Sequence, residues 1–149
     1  MSQQIKLTIP SDSKFLGLLR MVVEHYLTLH CVRKELVYKL IMSVDEACSN
    51  IIKYSYLGNK EQPIKLLLRF EGRTFKVELR DYGKQNDPSQ FKPRPLDKIE
   101  PNGLGTHLIN EIMDNVQYCI ERKRGTLLIM SRELKEEEFL ASPAINHVD

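Results

Sequence analysis

The chain has 149 residues, 42% hydrophobic and 28% charged, a length and balance suited to one soluble globular domain with a core of its own. Lys and Arg number 22 against 20 Asp and Glu, a formal charge of +2, so bulk charge makes no case for nucleic acid or an anionic membrane. No apolar run approaches the ~20 residues that span a bilayer, and "MSQQIKLTIPSD" lacks the basic and then apolar order of a signal peptide.

In chain order, "QQIKLTIP" alternates apolar and polar residues up to Pro10 and predicts a short strand. Ser11 or Ser13 can cap the helix predicted next, "KFLGLLRMVVEHYLTLH", whose Phe15, Leu18, Leu19, Val22, Val23 and Tyr26 recur at helical spacing. A second helix is predicted from about Lys34 to Tyr56. Its apolar stripe is Val37, Leu40, Ile41, Val44, Cys48 and Ile51, flanked by Ala47 and Ile52, with Gly58 and Asn59 as its stop. "PIKLLLRFEG" and "RTFKVELRD" predict a β-hairpin turning at Glu71–Gly72, with Phe75, Val77 and Leu79 on its buried side.

After Asp81 the pattern breaks. "YGKQNDPSQFKPRPLDKIEPNGLG" holds four prolines, three glycines and little apolar periodicity, and so long a connection inside a domain is usually functional or mobile. "THLINEIMDNV" predicts a helix with Leu108, Ile109, Ile112 and Met113 on one side, and "VQYCIERKRGTLLIMSREL" a last hairpin turning near Lys123 to Gly125. The order β-α-α-β-β-loop-α-β-β predicts an α+β, two-layer fold: a mainly antiparallel mixed sheet with helices on one face. One domain is expected over 1–134, with 135–149 as a polar, flexible tail.

Cys31, Cys48 and Cys119 are widely separated and form no CxxC pair, which reads as reduced thiols, two of them buried, in a cytosolic protein. His25, His30, His107 and His147 show no metal-ligand spacing. Three other features can carry chemistry. Glu46 and Asn50 stand one helical turn apart on the polar side of the second helix, beside Asp45, Ser49 and Lys53. Alone they read as a solvated face, but a carboxylate and a carboxamide so spaced can hold a water and a hard cation. In "LRDYGKQ", Asp81 at a strand end can accept from an exocyclic amine, and Gly83 lets backbone approach a flat ligand; the plainer reading is a strand ended by turn residues. In "PNGLGTHLINEIMDNV", two glycines directly before a helix expose backbone N–H groups at its positive end, a geometry that suits phosphate, with Thr106 near the N-cap. This is neither a dinucleotide fingerprint nor a Walker A loop.

Taken in order, "SVDEACSNIIKYSY", "LRDYGKQNDPSQF", "GLGTHLINEIMDNVQY" and "GTLLIMSREL", with "IPSDSKFLGLLRMVVEHY" near the start, resemble the GHKL ATPase superfamily. Within it, the chain is most similar to the anti-sigma-factor serine/threonine kinases of bacterial partner-switching systems, over roughly residues 5 to 134. The resemblance implies a histidine-kinase-like ATPase fold that takes ATP and Mg2+. It implies that Asn50 coordinates Mg2+, Glu46 is the general base and Asp81 receives the adenine amine, with Gly83 making room for the base. Gly103, Leu104, Gly105 and Thr106 would offer amides to the phosphates, residues 84 to 102 would form a lid, and Lys53 is a further phosphate contact. Two segments depart from such relatives: "KYSY" stands where "KHAY" is frequent, and "GKQNDPSQF" where "GPPFDP" is frequent.

The function implied is a cytoplasmic, homodimeric serine/threonine kinase and anti-sigma factor. It would phosphorylate a small anti-sigma-factor antagonist and otherwise sequester a sigma factor, with the first helix, carrying Arg20 and Glu24, as a contact element. The alternative is a non-catalytic, ATP-responsive switch that sequesters a protein partner; an intact Glu46 favours the kinase, because a pure binding module needs no base there.

Overall fold

The computed structural model describes residues 3–85, 101–120 and 124–141, with main chain alone for 101–106. Five strands, β1 (Ile5–Pro10), β2 (Pro63–Glu71), β3 (Thr74–Asp81), β4 (Asn115–Cys119) and β5 (Thr126–Glu133), form one sheet in the order β1-β2-β3-β5-β4. Every neighbouring pair is antiparallel, so the sheet is not mixed. The helices are α1 (Leu16–Leu29), α2 (Lys34–Asn50) and α3 (Pro101–Ile112). Helix α3 belongs to the connection that carries the chain from β3 to the sheet edge at β4; β5 then returns into the gap beside β3. Among the described residues no helix is long and apolar enough to cross a membrane.

One face of the sheet is apolar because the alternation is strict. Ile64, Leu66 and Leu68 of β2, Phe75, Val77 and Leu79 of β3, and Leu128 and Met130 of β5 share a core with the helices. Residues between them, such as Lys65, Arg69, Lys76, Glu78 and Arg80, lie on the opposite face. The stripe of α2 is buried as read, from Val37 through Leu40, Ile41, Val44, Ala47 and Cys48 to Ile51. On α1 the buried set is Leu16, Leu19, Val23, Tyr26 and Leu27, whereas Leu18 is exposed. Leu18 lies roughly 130° around the helix from the centre of that set, at ~100° per residue, and so misses the sheet. Of the three thiols only Cys48 is fully buried; Cys119 is half-buried and Cys31 exposed.

Four boundaries differ from the sequence reading, each for a local reason. The cap of the first helical turn is Asp12, which accepts from the Lys14 N–H at 3.1 Å. Ser11 instead is fully buried; its hydroxyl donates to the Asn59 carbonyl (2.5 Å) and accepts from the Gln62 N–H (3.0 Å), tying the end of β1 to the entry of β2. The second helix does not run unbroken to Tyr56. Its α-helical part stops at Asn50, and Ile51–Ser55 is a π-turn in which the Tyr56 N–H reaches the Ile51 carbonyl at 3.0 Å. Third, α3 begins at Pro101, ahead of the glycines expected to precede it. Fourth, the segment from Lys135 to Leu140, expected at the start of a flexible tail, is docked. Phe139 bridges to Val32, the Arg33 N–H donates to the Glu138 carbonyl (2.9 Å), and the Leu140 N–H donates to the Cys31 carbonyl (2.6 Å). The last residues of the expected tail, from 142, lie outside the described residues.

Replacing Ser11 by Ala removes a donor and an acceptor from two backbone groups at a closed junction. It should destabilise the protein by about 1–3 kcal/mol, measured as a lower urea midpoint with an unchanged slope.

Candidate functional site

Asp81 is the last residue of β3, and the same alternation that buries Phe75, Val77 and Leu79 turns its carboxylate inward, where it is 2% exposed. Burial pushes its pKa above the ordinary carboxylate range. Hydrogen bonds from the Gly83 N–H (3.0 Å), the Ser55 hydroxyl and the Thr126 N–H oppose this, together with the Arg80 charge. Thr126 is available because the register of β3 with β5 sets it directly opposite Asp81. The carboxylate therefore stands where three separate parts of the chain meet: the turn at Gly83, the end of the π-turn at Ser55 and the start of β5 at Thr126.

Those parts are themselves locked. The Ser55 carbonyl, at the end of the π-turn, accepts from the Lys84 N–H at 2.7 Å. Gly83 packs directly on it: a Cβ there would lie against the Ser55 carbonyl oxygen and 2.9 Å from Tyr56 Cδ1. The structure thus gives Gly83 a reason beyond room for a ligand, since no other residue lets the two segments meet. Gly125, with φ +82°, closes the other side. Its N–H donates to the Gly83 carbonyl (3.1 Å), and a Cβ would fall 2.7 Å from Tyr82 Cα. Beneath them the Tyr56 hydroxyl accepts from the Tyr82 N–H (2.8 Å) and donates to the Pro63 carbonyl (2.6 Å). Burial raises the Tyr56 pKa, so it remains a neutral phenol able to do both.

A pocket opens over this carboxylate, with about 440 Å3 of empty space including its mouth. Asn50, Ser55, Asp81 and Thr126 form its polar part; Ala47 and Ile51 of the helix and Tyr118 and Leu128 of the sheet form its apolar walls. Burial pushes the Tyr118 phenol up to about 12. Apolar walls around one buried acceptor suit a flat heteroaromatic group that carries an exocyclic amine.

The fold thus brings Asn50 and Asp81 to one cavity. Glu46 sits one turn before Asn50, half-buried, and is not among the residues lining the cavity; Lys53 is exposed on the π-turn and also outside it. Gly103, Leu104, Gly105 and Thr106 lie within the first two turns of α3. In a helix starting at Pro101 the amide of Gly103 lies in the first turn with no intrahelical acceptor, whereas those of Leu104, Gly105 and Thr106 fall in the i→i−4 ladder. Most of the expected lid, residues 86–100, lies outside the described residues. Sequence reasoning passed over Ser55, Tyr56, Thr126 and Gly125. "KYSY" and "GT" were visible, but their meaning depends on the π-turn and on the β3–β5 register, which no periodicity reports.

An open antiparallel sheet with helices on one face, and a pocket between α2 and the strand ending in Asp81, define the two-layer architecture of a histidine-kinase-like ATPase domain. Residues 9–132 match the histidine kinase-like ATPase domain family, and the chain belongs to it. It is 25% identical over 144 residues to the serine-protein kinase RsbW of Halalkalibacterium halodurans, covering 91% of this chain and 86% of that protein. It is 23% identical over 142 residues to the serine-protein kinase RsbW of Oceanobacillus iheyensis, covering 90% and 89%. In fold it is similar to a crystal structure of the RsbU and RsbW domains of a Mycobacterium tuberculosis protein, with a TM-score of 0.65 at 10% identity. That match covers 88% of this chain and spans 32% of the longer one.

Tyr56→Phe would leave the Tyr82 N–H and the Pro63 carbonyl without their shared partner. The variant should lose about 1–3 kcal/mol in denaturant unfolding, with faster amide exchange at Tyr82 than at β2 residues away from Pro63.

Proposed function

We propose that this chain is an ATP-dependent serine/threonine protein kinase and anti-sigma factor, which phosphorylates a small anti-sigma-factor antagonist and otherwise sequesters a sigma factor in the cytoplasm. The observation that carries the reading is the convergence of Asn50 and the buried Asp81 on one pocket, in a chain whose relatives are named serine-protein kinase. Asp81 would receive the amine of adenine. Asn50, at the junction of α2 and the π-turn, lines the cavity, and its carboxamide oxygen is a hard donor that fits a role in holding Mg2+. Bound there, Mg2+ would neutralise charge on the phosphoryl oxygens.

Glu46, one helical turn from Asn50 and half-buried, stays open to an incoming hydroxyl and would take its proton. Gly103 would offer its free amide to the phosphates; Leu104, Gly105 and Thr106 would do so once the first turn of α3 loosens. Lys53, exposed on the π-turn, would add a point charge. Arg20 is already paired with Asp45 at 2.7 Å, a bond between α1 and α2. The exposed Leu18, Met21 and Leu29 of α1 are therefore better suited than Arg20 to a protein contact, a homodimer included.

Thermal unfolding with and without ATP and Mg2+ tests the site. Ligand at 100 times its dissociation constant should add ~2.7 kcal/mol, a rise of about 5–10 °C for a chain of this size; the rise should need Mg2+ and vanish in Asn50→Ala. Label transfer from ATP to a cognate antagonist tests the chemistry. Glu46→Ala should cut transfer by about 100- to 10,000-fold with ATP binding kept. Undiminished transfer would remove Glu46 from the role of base, and binding without any transfer by the unaltered protein would leave the non-catalytic switch.

A further inference from the structure

The inward row of β5 runs Leu128, Met130 and then Arg132, which stands directly opposite the buried Phe75. A guanidinium at an apolar position of a sheet needs partners, and it finds two. Its Nη1 donates to the Ile112 carbonyl at 2.7 Å, and its Nη2 donates to Glu138 Oε2 at 2.8 Å. Ile112 is the last residue of α3, where the closing carbonyls have no intrahelical donor and the helix carries its negative end. Glu138 is fixed in turn. Its Oε1 accepts from the Lys135 N–H (2.9 Å), and its main-chain carbonyl accepts from the N–H of Arg33 (2.9 Å), the N-cap residue of α2. With side chains 22% and 18% exposed, Arg132 and Glu138 are the least exposed ion pair among the described residues. The start of α2 and the end of α3 are thus joined at one residue. The two helices pack on each other, and their opposite ends carry Asn50 and Gly103. Asn50 lies roughly 24 Å along α2 from this junction, at about 1.5 Å per residue.

We propose that Arg132 and Glu138 are positioning residues: their clamp fixes α3 against α2 at the end away from the pocket, and so sets where the first turn of α3 meets the phosphates of ATP. This rests on the reading of the pocket as a nucleotide site and of the Gly103 amide as a phosphate donor. The physical basis is the stiffness of a helix. Over its 12 residues α3 carries a shift at one end to the other, because its hydrogen-bond ladder keeps it straight. Removing either partner leaves a partly buried charge without its counter-charge, so the junction rearranges instead of staying in place. Asp81, by contrast, is held at the end of β3 by the turn at Gly83 and the main-chain pairing with β5, and neither uses the two side chains of the clamp. The clamp therefore governs the phosphate end of the site and leaves the base end alone.

Titration calorimetry with ATP and with adenosine, both in the presence of Mg2+, separates the two ends, since adenosine has no phosphates to meet α3. Arg132→Met removes both bonds of the clamp. Glu138→Gln is milder, removing the charge of the pair while keeping an amide oxygen, and it carries the test if thermal unfolding shows Arg132→Met unfolded. Arg132→Met should bind ATP about 10- to 100-fold more weakly, the scale on which a displacement of about 1 Å is felt, with adenosine affinity held within about 2-fold. Glu138→Gln should lose about 2- to 10-fold toward ATP alone. Arg132→Lys, which can keep one bond but not the fork, should fall between Arg132→Met and the unaltered protein. Equal weakening toward ATP and adenosine would overturn the inference, because a general loosening of the fold predicts that result. So would a lower unfolding temperature with unchanged ATP affinity, the mark of a purely structural pair. If the unaltered protein binds neither ligand at millimolar concentration, the nucleotide reading fails and takes this inference with it, a result visible without any variant.

Discussion

Asp81 is a carboxylate taken out of water at the end of a strand whose other inward residues are Phe75, Val77 and Leu79, and its ionised form has to be given donors there. Much of the surrounding structure follows from that requirement. The Gly83 N–H must turn back toward the strand end, so the chain after Asp81 bends tightly against Ser55. The Thr126 N–H must lie opposite, so β5 has to occupy the place beside β3 that chain order alone would give to β4. Gly125 must precede it with a positive φ, because any side chain there would enter the Asp81–Tyr82 backbone.

The π-turn brings Ser55 to the same pocket. An α-helix continued past Asn50 would have set the Tyr56 amide on the Ile52 carbonyl; the wider turn sends it to the Ile51 carbonyl instead and brings Ser55 to the strand end. Asn50 is thus the last residue with regular helical geometry, and it faces the cavity where that geometry gives way. The Tyr56 hydroxyl then fastens the turn to both β2 and the segment after β3. Helix end and strand end are joined by backbone carbonyls and one phenol, a connection that side-chain ion pairs at the surface do not match. The exposed Arg20–Asp45 pair is worth at most about 1 kcal/mol.

What could be read from the sequence was what repeats. The period of α2 and the alternation in β2 and β3 report burial directly, so the element order and the α2 core from Val37 to Ile51 agree with the structure. The convergence of Asn50 and Asp81 was reachable through the order of motifs and their family resemblance. Single events were not legible. Ser11 looks like a cap, and only the distant Asn59 and Gln62 make it a buried clamp. Leu18 has the right spacing for a core position and lies on the wrong side of its helix. Glu136 to Glu138 look like solvated charge, yet the Glu137 and Glu138 carbonyls are used by Arg33 and the Glu138 carboxylate by Arg132. Ser11 and the Glu137–Glu138 carbonyls depend on partners far along the chain, and no local pattern carries that information.

The placement of β5 between β3 and β4 also governs when the pocket comes into being. During synthesis, α1, α2, β2 and β3 can associate early, because β2 and β3 form a hairpin and α1 and α2 are consecutive. At that stage Asp81 stands on an open sheet edge, wet, with no strand to cover it. Only when β5 has left the ribosome does the edge close, and the same pairing that adds Leu128 and Met130 to the core brings Thr126 to the carboxylate. Phe139 and Leu140 then reach back to the α1–α2 connection and finish the body. The ligand pocket and the last layer of the core are therefore made in one step, so a chain interrupted before β5 has neither.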